Sequence, residues 1–535
     1  MKMTIPYGHK TPVRHFPGAK EVKRGGQIMN IMRKLFLVMI TVLFGLISQV
    51  QAMEFDDLGG IDVHGFISQG YLQSDDNNFF ADTENGTTQF NEMGINFSAD
   101  VTEKLRLGVQ FFARDMGDIG NNEVVLDWAI ADYRWRDWLG LRAGNMKWVN
   151  GLYNESRDVD MLRTPIFLPQ GVYNEAWRET SATLQGAGLY GELPTNKAGS
   201  FSYDLQYGSM SMPAEGGPAK LLKDQVPDTF KAAYGVEDIE LESVDVDYTY
   251  TAAMKWNTPL EGLLLGGNHW GYSFQADAET IINMNTLRGT AAAAQARYTP
   301  IIAQLTAALA NPAAAGLTTP EAILAAQQQL GAATYVNNYY TGVLNNTSAD
   351  TSLGAQITGY PTIFKVRTKT LTGSMEYTWK NLVVAAEYMQ TRYNLSMQNN
   401  LLENLDIANA YQGGVSNIPE FDAVGYYGSL SYRFTYWFEL GLYYSEYYRN
   451  KDDKDGEKRA VSFPNEPKHR AWFKDACLTT RFDINENWVL KLEGHILNGT
   501  AVIYGADNPV NVYDPAEPRY EEDWFLGAAK ITYSF

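Results

Sequence analysis

The sequence predicts an all-β protein, a transmembrane antiparallel barrel of about sixteen strands. Three observations carry that prediction. An export signal lies near the N-terminus, segments of about ten residues alternate apolar with polar positions, and the connections between them are long and short by turns.

The export signal is read first. Met32, Arg33 and Lys34 form a basic start, Leu35 to Ser48 is apolar, and Val50-Gln51-Ala52 offers small residues to a signal peptidase. Cleavage is expected after Ala52, so residues 1–52 are a signal peptide with an over-extended start and 53–535 are the mature barrel. The apolar run is too short to span a bilayer as a retained helix. Removing residues 1–52 takes 8 of the 43 basic and 1 of the 62 acidic residues, leaving a formal charge of −26. That acidity excludes nucleic acid as a partner, which needs a concentrated basic face. The single cysteine excludes a disulfide framework.

Strands are predicted near 61–74, 88–101, 105–116, 123–135, 139–147, 181–193, 201–210, 244–257, 263–276, 363–379, 382–395, 421–434, 438–450, 469–484, 488–499 and 524–535. One set of connections is long: 75–87, 148–180, 211–243, 277–362, 396–420, 451–468 and 500–523, with 117–122 its short member. The other set is short: 102–104, 136–138, 194–200, 258–262, 380–381, 435–437 and 485–487. Short periplasmic turns alternating with long extracellular loops are the habit of outer-membrane barrels, and a soluble sandwich has no reason to sort its loops so.

Within strands the period is two. Leu105, Leu107, Val109, Phe111 and Ala113 oppose Arg106, Gln110 and Arg114. Leu490, Leu492 and Ile496 oppose Lys491, Glu493 and His495. With about sixteen strands the polar face lines an aqueous lumen. The segments 123–135 and 181–193 are ambiguous in parity. Trp128, Tyr133, Trp135, Trp256, Tyr377, Trp379, Tyr432, Phe434 and Trp437 suit interfacial girdles. One insertion differs: Ala291 to Ala310 is alanine-rich, and Thr319-Pro320-Glu321 opens a second helix that ends near Gly331. Residues 288–331 are therefore read as a helical hairpin inside the fifth extracellular loop.

No catalytic constellation is found. His64, His269, His469 and His495 are scattered over separate strands without metal-ligand spacing, and neither a nucleophile elbow nor a phosphate-cradling loop occurs. The reading is of a non-enzyme with no metal and no cofactor.

The last strand ends Lys530-Ile531-Thr532-Tyr533-Ser534-Phe535, alternating and aromatic at its terminus. It resembles the signal by which outer-membrane proteins meet their assembly machinery, which makes that machinery an expected partner through Phe535. As a whole the mature chain resembles the Gram-negative porin superfamily, in particular its phosphate-selective O/P-type branch and related porin-like proteins. The match is clearest over 61–193 and 485–535. The resemblance implies an outer-membrane location, contact with lipid and lipopolysaccharide, a homotrimer, and passive diffusion of small polar solutes or ions. It also implies that the third long connection, 148–180, folds into the lumen as a constriction loop.

On that basis Glu155, Arg157, Asp158, Asp160, Arg163, Glu175 and Arg178 are offered by the loop. The facing wall offers basic Arg106, Arg114, Arg142, Arg481, Lys491 and Lys530, opposed by Asp62, Asp100 and Glu493. Rings of charge set selectivity in such pores, and the basic wall points to a weak anion preference. The loop lacks the run of basic residues that would mark phosphate selectivity. Two alternatives are a surface barrel serving as adhesin or scaffold, and a barrel sheathing a partner protein.

Overall fold

In the computed structural model, residues 60–117, 119–212, 236–346, 357–399, 415–462, 466–505, 507–508 and 520–535 are described. The expected signal peptide lies outside them. Sixteen strands close into one antiparallel barrel, each paired with its sequence neighbours and the first with the last. They are β1 Ile61–Ser74, β2 Phe90–Thr102, β3 Leu105–Met116, β4 Val125–Arg136, β5 Leu139–Lys147, β6 Thr183–Pro194, β7 Ser200–Ser209 and β8 Val236–Asn257. There follow β9 Leu263–Asn283, β10 Ile357–Trp379, β11 Leu382–Asn399, β12 Val415–Thr435, β13 Phe438–Tyr448, β14 Trp472–Asp483, β15 Trp488–Gly499 and β16 Asp523–Ser534.

Burial is inverted relative to a soluble protein. Outward side chains such as Ile67, Leu107, Leu205, Leu371, Leu442, Leu478 and Ile496 are apolar and exposed. Inward ones are polar and covered: Ser98, Gln110, Gln206, the run Thr368, Thr370 and Thr372, and Glu387. In water such a surface would be an aggregation site; in lipid it is the required one, since every backbone group must be paired within the closed sheet. Among the described residues no helix is long and apolar enough to cross a membrane. The protein is a transmembrane β-barrel.

Aromatic girdles mark the band. Trp135, Trp138, Trp379, Phe434 and Trp437 crowd the short-turn end, all exposed. Tyr388 and Tyr426 stack near the other side, ring centroids 6.5 Å apart. Trp128 departs from the expected girdle. It pairs in register with inward-facing Gln110, because Asp127 is an extra residue in β4. The same bulge shifts the alternation within 123–135 and so makes its parity ambiguous in the sequence.

The wall is stepped. Strands β8, β9, β10, β11 and β12 have 22, 21, 23, 18 and 21 residues, against 9 to 14 for the others. A membrane strand needs only about 9–11 residues, so these five overshoot the bilayer on the long-loop side. There the fifth loop carries two 27-residue helices, α1 (Met284–Ala310) and α2 (Pro320–Asn346). Together they reach beyond the expected hairpin 288–331 at both ends. Helix α2 runs straight through Gly331, an exposed glycine whose cost of about 1 kcal/mol its alanine-rich neighbours offset. The hairpin's base packs on the inner face of the tall wall, where Met284, Leu287, Ala291 and Val343 join Tyr272, Phe274, Ile282 and Phe364 in one buried cluster.

The seam between β1 and β16 is closed at its base by Phe535. Gly65 and Phe535 exchange backbone hydrogen bonds of 3.1 and 3.0 Å. The tip of the Phe535 ring lies 2.5 Å from where a Cβ on residue 65 would be, so a larger residue there would displace the ring.

Candidate functional site: a charged loop inside the barrel

Residues 148–182, between β5 and β6, fold inward and cross the lumen. The sequence favours an inward loop. It is rich in large apolar residues, among them Trp148, Ile166, Phe167, Leu168 and Val172, all buried. Its charges are placed to meet the wall.

One contact region lies against β2 to β5 and β14 to β16. Glu175 receives Arg157 at 2.8 Å, Arg114 at 3.1 Å and Arg178 at 3.6 Å. Arg178 also pairs with Glu92 of β2 and, at 3.3 Å, with Asp158. Asp158 pairs in turn with Lys147, which reaches Asp127 at 2.7 Å. Asp160 takes Lys491 at 3.0 Å, Lys530 at 3.5 Å and Arg163 at 3.6 Å, and accepts from Thr532 Oγ1 at 2.8 Å. Arg481 donates to the carbonyls of Met161 and Arg163 at 2.7 and 3.2 Å. Glu493 accepts from the backbone N–H groups of Ile166 and Phe167 at 2.8 and 3.0 Å.

The opposite contact region lies against β9, β10, β11 and β12. Gly151 N donates to Asn268 Oδ1 at 3.1 Å, Leu152 N donates to Glu387, and Tyr153 OH donates to Glu376 at 2.9 Å. Tyr173 and Tyr427 both donate to Glu387. At Gly425 a Cβ would overlap the Gly171 carbonyl, so the loop runs directly on the β12 backbone.

These partners fix the charge states. Burial alone would raise the carboxyls of Glu175, Asp158 and Asp160. Instead Arg157, Arg178 and Arg114 hold Glu175 well below the carboxylate range, Lys147 and Arg178 hold Asp158, and Lys491, Lys530 and Arg163 hold Asp160. Burial of Arg178 opposes its charge, but Glu92, Glu175 and Asp158 more than reverse that.

The charges named from the sequence thus divide in two. Arg114, Arg481, Lys491 and Lys530 of the wall, and Arg157, Asp158, Asp160, Arg163, Glu175 and Arg178 of the loop, are all buried and engaged with one another or with the loop backbone. Arg106, Arg142 and Glu155 remain in contact with solvent. Arg106 donates to Ser98 at 2.9 Å. Arg142 pairs with Asp132 at 2.9 Å and lies over the Tyr190 ring, and Glu155 meets Lys255 at 3.4 Å. Sequence reasoning missed the loop's uncharged and acidic anchors, namely Glu92, Asn268, Glu376, Glu387, Glu439 and Ser445. An acidic residue at an inward position of a strand is the signal that could have found Glu92 and Glu387. Beneath the loop a cavity of about 250 Å³ is lined in part by Tyr153, Thr164, Glu376, Tyr427, Glu439 and Thr479.

No protein-family profile matches the chain, and no curated protein sequence matches it. Among solved structures it is similar to the outer membrane channel DcaP of Acinetobacter baumannii, at 10% identity over 90% of this chain and 99% of that one, with a TM-score of 0.45. It is also similar to Salmonella typhi OmpF, solved in complex with daunomycin, at 11% identity over 89% and 97%, TM-score 0.43. An anion-selective porin from Comamonas acidovorans is similar at 10% identity over 89% and 99%, TM-score 0.38.

Proposed function

We propose that the chain is a diffusion porin: a water-filled passage for small polar solutes and ions, narrowed by the loop 148–182. The observation that carries this reading is the loop itself, held across the lumen from Glu387 on one wall to Lys491 and Lys530 on the other. An adhesin has no use for such a loop, and a barrel sheathing a partner would be obstructed by it.

Selectivity then falls to the charges the loop leaves in water. Buried wall cations are neutralised by loop carboxylates, while Arg106 and Arg142 face solvent beside Asp62, Asp100, Asp132 and Asp204. In a narrow polar passage screening is weaker than the ~8 Å Debye length of physiological saline implies. The reading is a weak anion preference despite the acidic chain. Replacing Arg106 and Arg142 together with Ser is expected to move the reversal potential under a salt gradient toward cations. A double variant whose reversal potential equals that of the parent would overturn this assignment. The barrel is further proposed to assemble as a homotrimer, and cross-linking of detergent extracts should then give a three-chain band; monomer alone would exclude it.

A further inference from the structure

Below Ile166 and Phe167 of the loop, on the inner face of β14 and β15, three side chains of different chemistry converge. Cys477 and His495 are directly opposed in the strand register, and Glu493 lies two residues before His495 on the same face. The sulfur, an imidazole nitrogen and a carboxylate oxygen all lie within 4.8 Å of one another, with all three residues buried. Because the ligands come from two strands, their spacing in the chain carries no signature, and the sequence reading therefore found no metal site.

The histidine is prepared for a role beyond packing. Its Nδ1 lies 3.0 and 3.2 Å from the Asp475 carboxylate, which itself accepts from Tyr443 OH at 2.9 Å. That leaves Nε2 facing Glu493 Oε2 at an ion-pair distance of 3.4 Å without good hydrogen-bond geometry, with Cys477 as the other polar neighbour of the ring, in a residue 2% exposed. A carboxylate on the far nitrogen is the usual support of a metal-bound imidazole, fixing tautomer and ring orientation. The geometry also fits. Tetrahedral zinc with bonds of about 2.0–2.1 Å to nitrogen and oxygen sets those donors about 3.3–3.4 Å apart.

From these observations we infer a zinc-type divalent cation site held by Cys477 Sγ, His495 Nε2 and the Glu493 carboxylate, with Asp475 as the positioning residue. Mixed sulfur, nitrogen and oxygen donors select zinc or cobalt over calcium and magnesium. Three protein ligands leave a fourth position for water. The cavity beneath the loop reaches Tyr443 and Thr479, next to the site. Glu493 also accepts the backbone N–H groups of Ile166 and Phe167, so the cation would share the carboxylate that pins the loop. The site stands independently of the channel reading.

The test uses the full chain folded in detergent, stripped with a chelator and titrated with cobalt(II). One equivalent is expected to bind with visible bands of tetrahedral cobalt and a near-ultraviolet thiolate-to-metal band. Cys477→Ser should abolish the thiolate band, and His495→Gln should weaken binding at least tenfold. Asp475→Asn should weaken binding about 10–100-fold while keeping the thiolate band. Absence of saturable binding by the parent chain, or binding unchanged in both Cys477→Ser and His495→Gln, overturns the proposal. Should a variant fail to fold, X-ray absorption of the zinc-loaded parent decides: a sulfur shell near ~2.3 Å supports the site, and a shell of oxygen and nitrogen alone refutes it.

Discussion

On the proposed function, replacing Glu175 with Gln is expected to loosen the loop 148–182 and to turn a steady channel into a flickering one. The carboxylate neutralises Arg114, Arg157 and Arg178, all buried. Removing one partner from a buried ionic cluster leaves uncompensated charge, at about 3–5 kcal/mol. That is roughly a hundred- to several-thousandfold in the equilibrium between the seated and displaced loop. Gln preserves shape, and the barrel's own ladders are untouched, so the heat-modifiable band should persist. Single-channel records should show larger, noisier conductance; a record matching the parent would refute the anchoring role. The same carboxylates predict the response to acid. Their folded pKa values are depressed, so their stabilisation is complete above the ordinary carboxylate pKa of about 4 and is lost only as pH falls through the lower folded values. Glu175, Asp158 and Asp160 themselves should therefore contribute no loop-loosening transition between pH 7 and about pH 4 in single-channel records.

Deleting Phe535 is expected to cut the folded, heat-modifiable fraction by about tenfold or more, the equivalent of some 1.4 kcal/mol. The residue supplies both backbone hydrogen bonds to Gly65 and the ring that fills the space above it. Without it the base of the β1–β16 seam opens where lipid cannot satisfy the freed groups. Phe535→Ala keeps the backbone pairs and should lie between deletion and parent. Equal yields for all three chains in a quantitative outer-membrane preparation would contradict this.

How much of this the sequence discloses depends on which solvent each residue meets. The bounds of β1, β3, β5 and β15 are legible to the residue, because there one face meets lipid and the other meets water or the loop, and the two-residue period is sharp. The tops of β8 to β12 are not. Residues such as Val236–Ser243 and Ile357–Thr362 stand above the bilayer, where neither face has to be apolar, and the period fades. The loop's charged residues could be named from its place between β5 and β6, but not their partners. Asp160 meets Lys491 across 331 positions of chain and Thr532 across 372, and no local pattern encodes such a meeting. Asp127 shows the reverse case, one inserted residue that scrambles an otherwise readable strand.

The unequal strand lengths give the mouth of the barrel a direction. At about 3.3 Å per residue the 23 residues of β10 span roughly 75 Å along the strand, and the 9 of β5 roughly 30 Å. The entrance is therefore cut on a slant, like the bevel of a quill. On the β8–β12 side a parapet crowned by the helical hairpin rises out of the membrane surface. The strands β5, β6 and β7 themselves stop lower. Under the proposed function, a large particle approaching from the hairpin's side meets the parapet before it meets the opening.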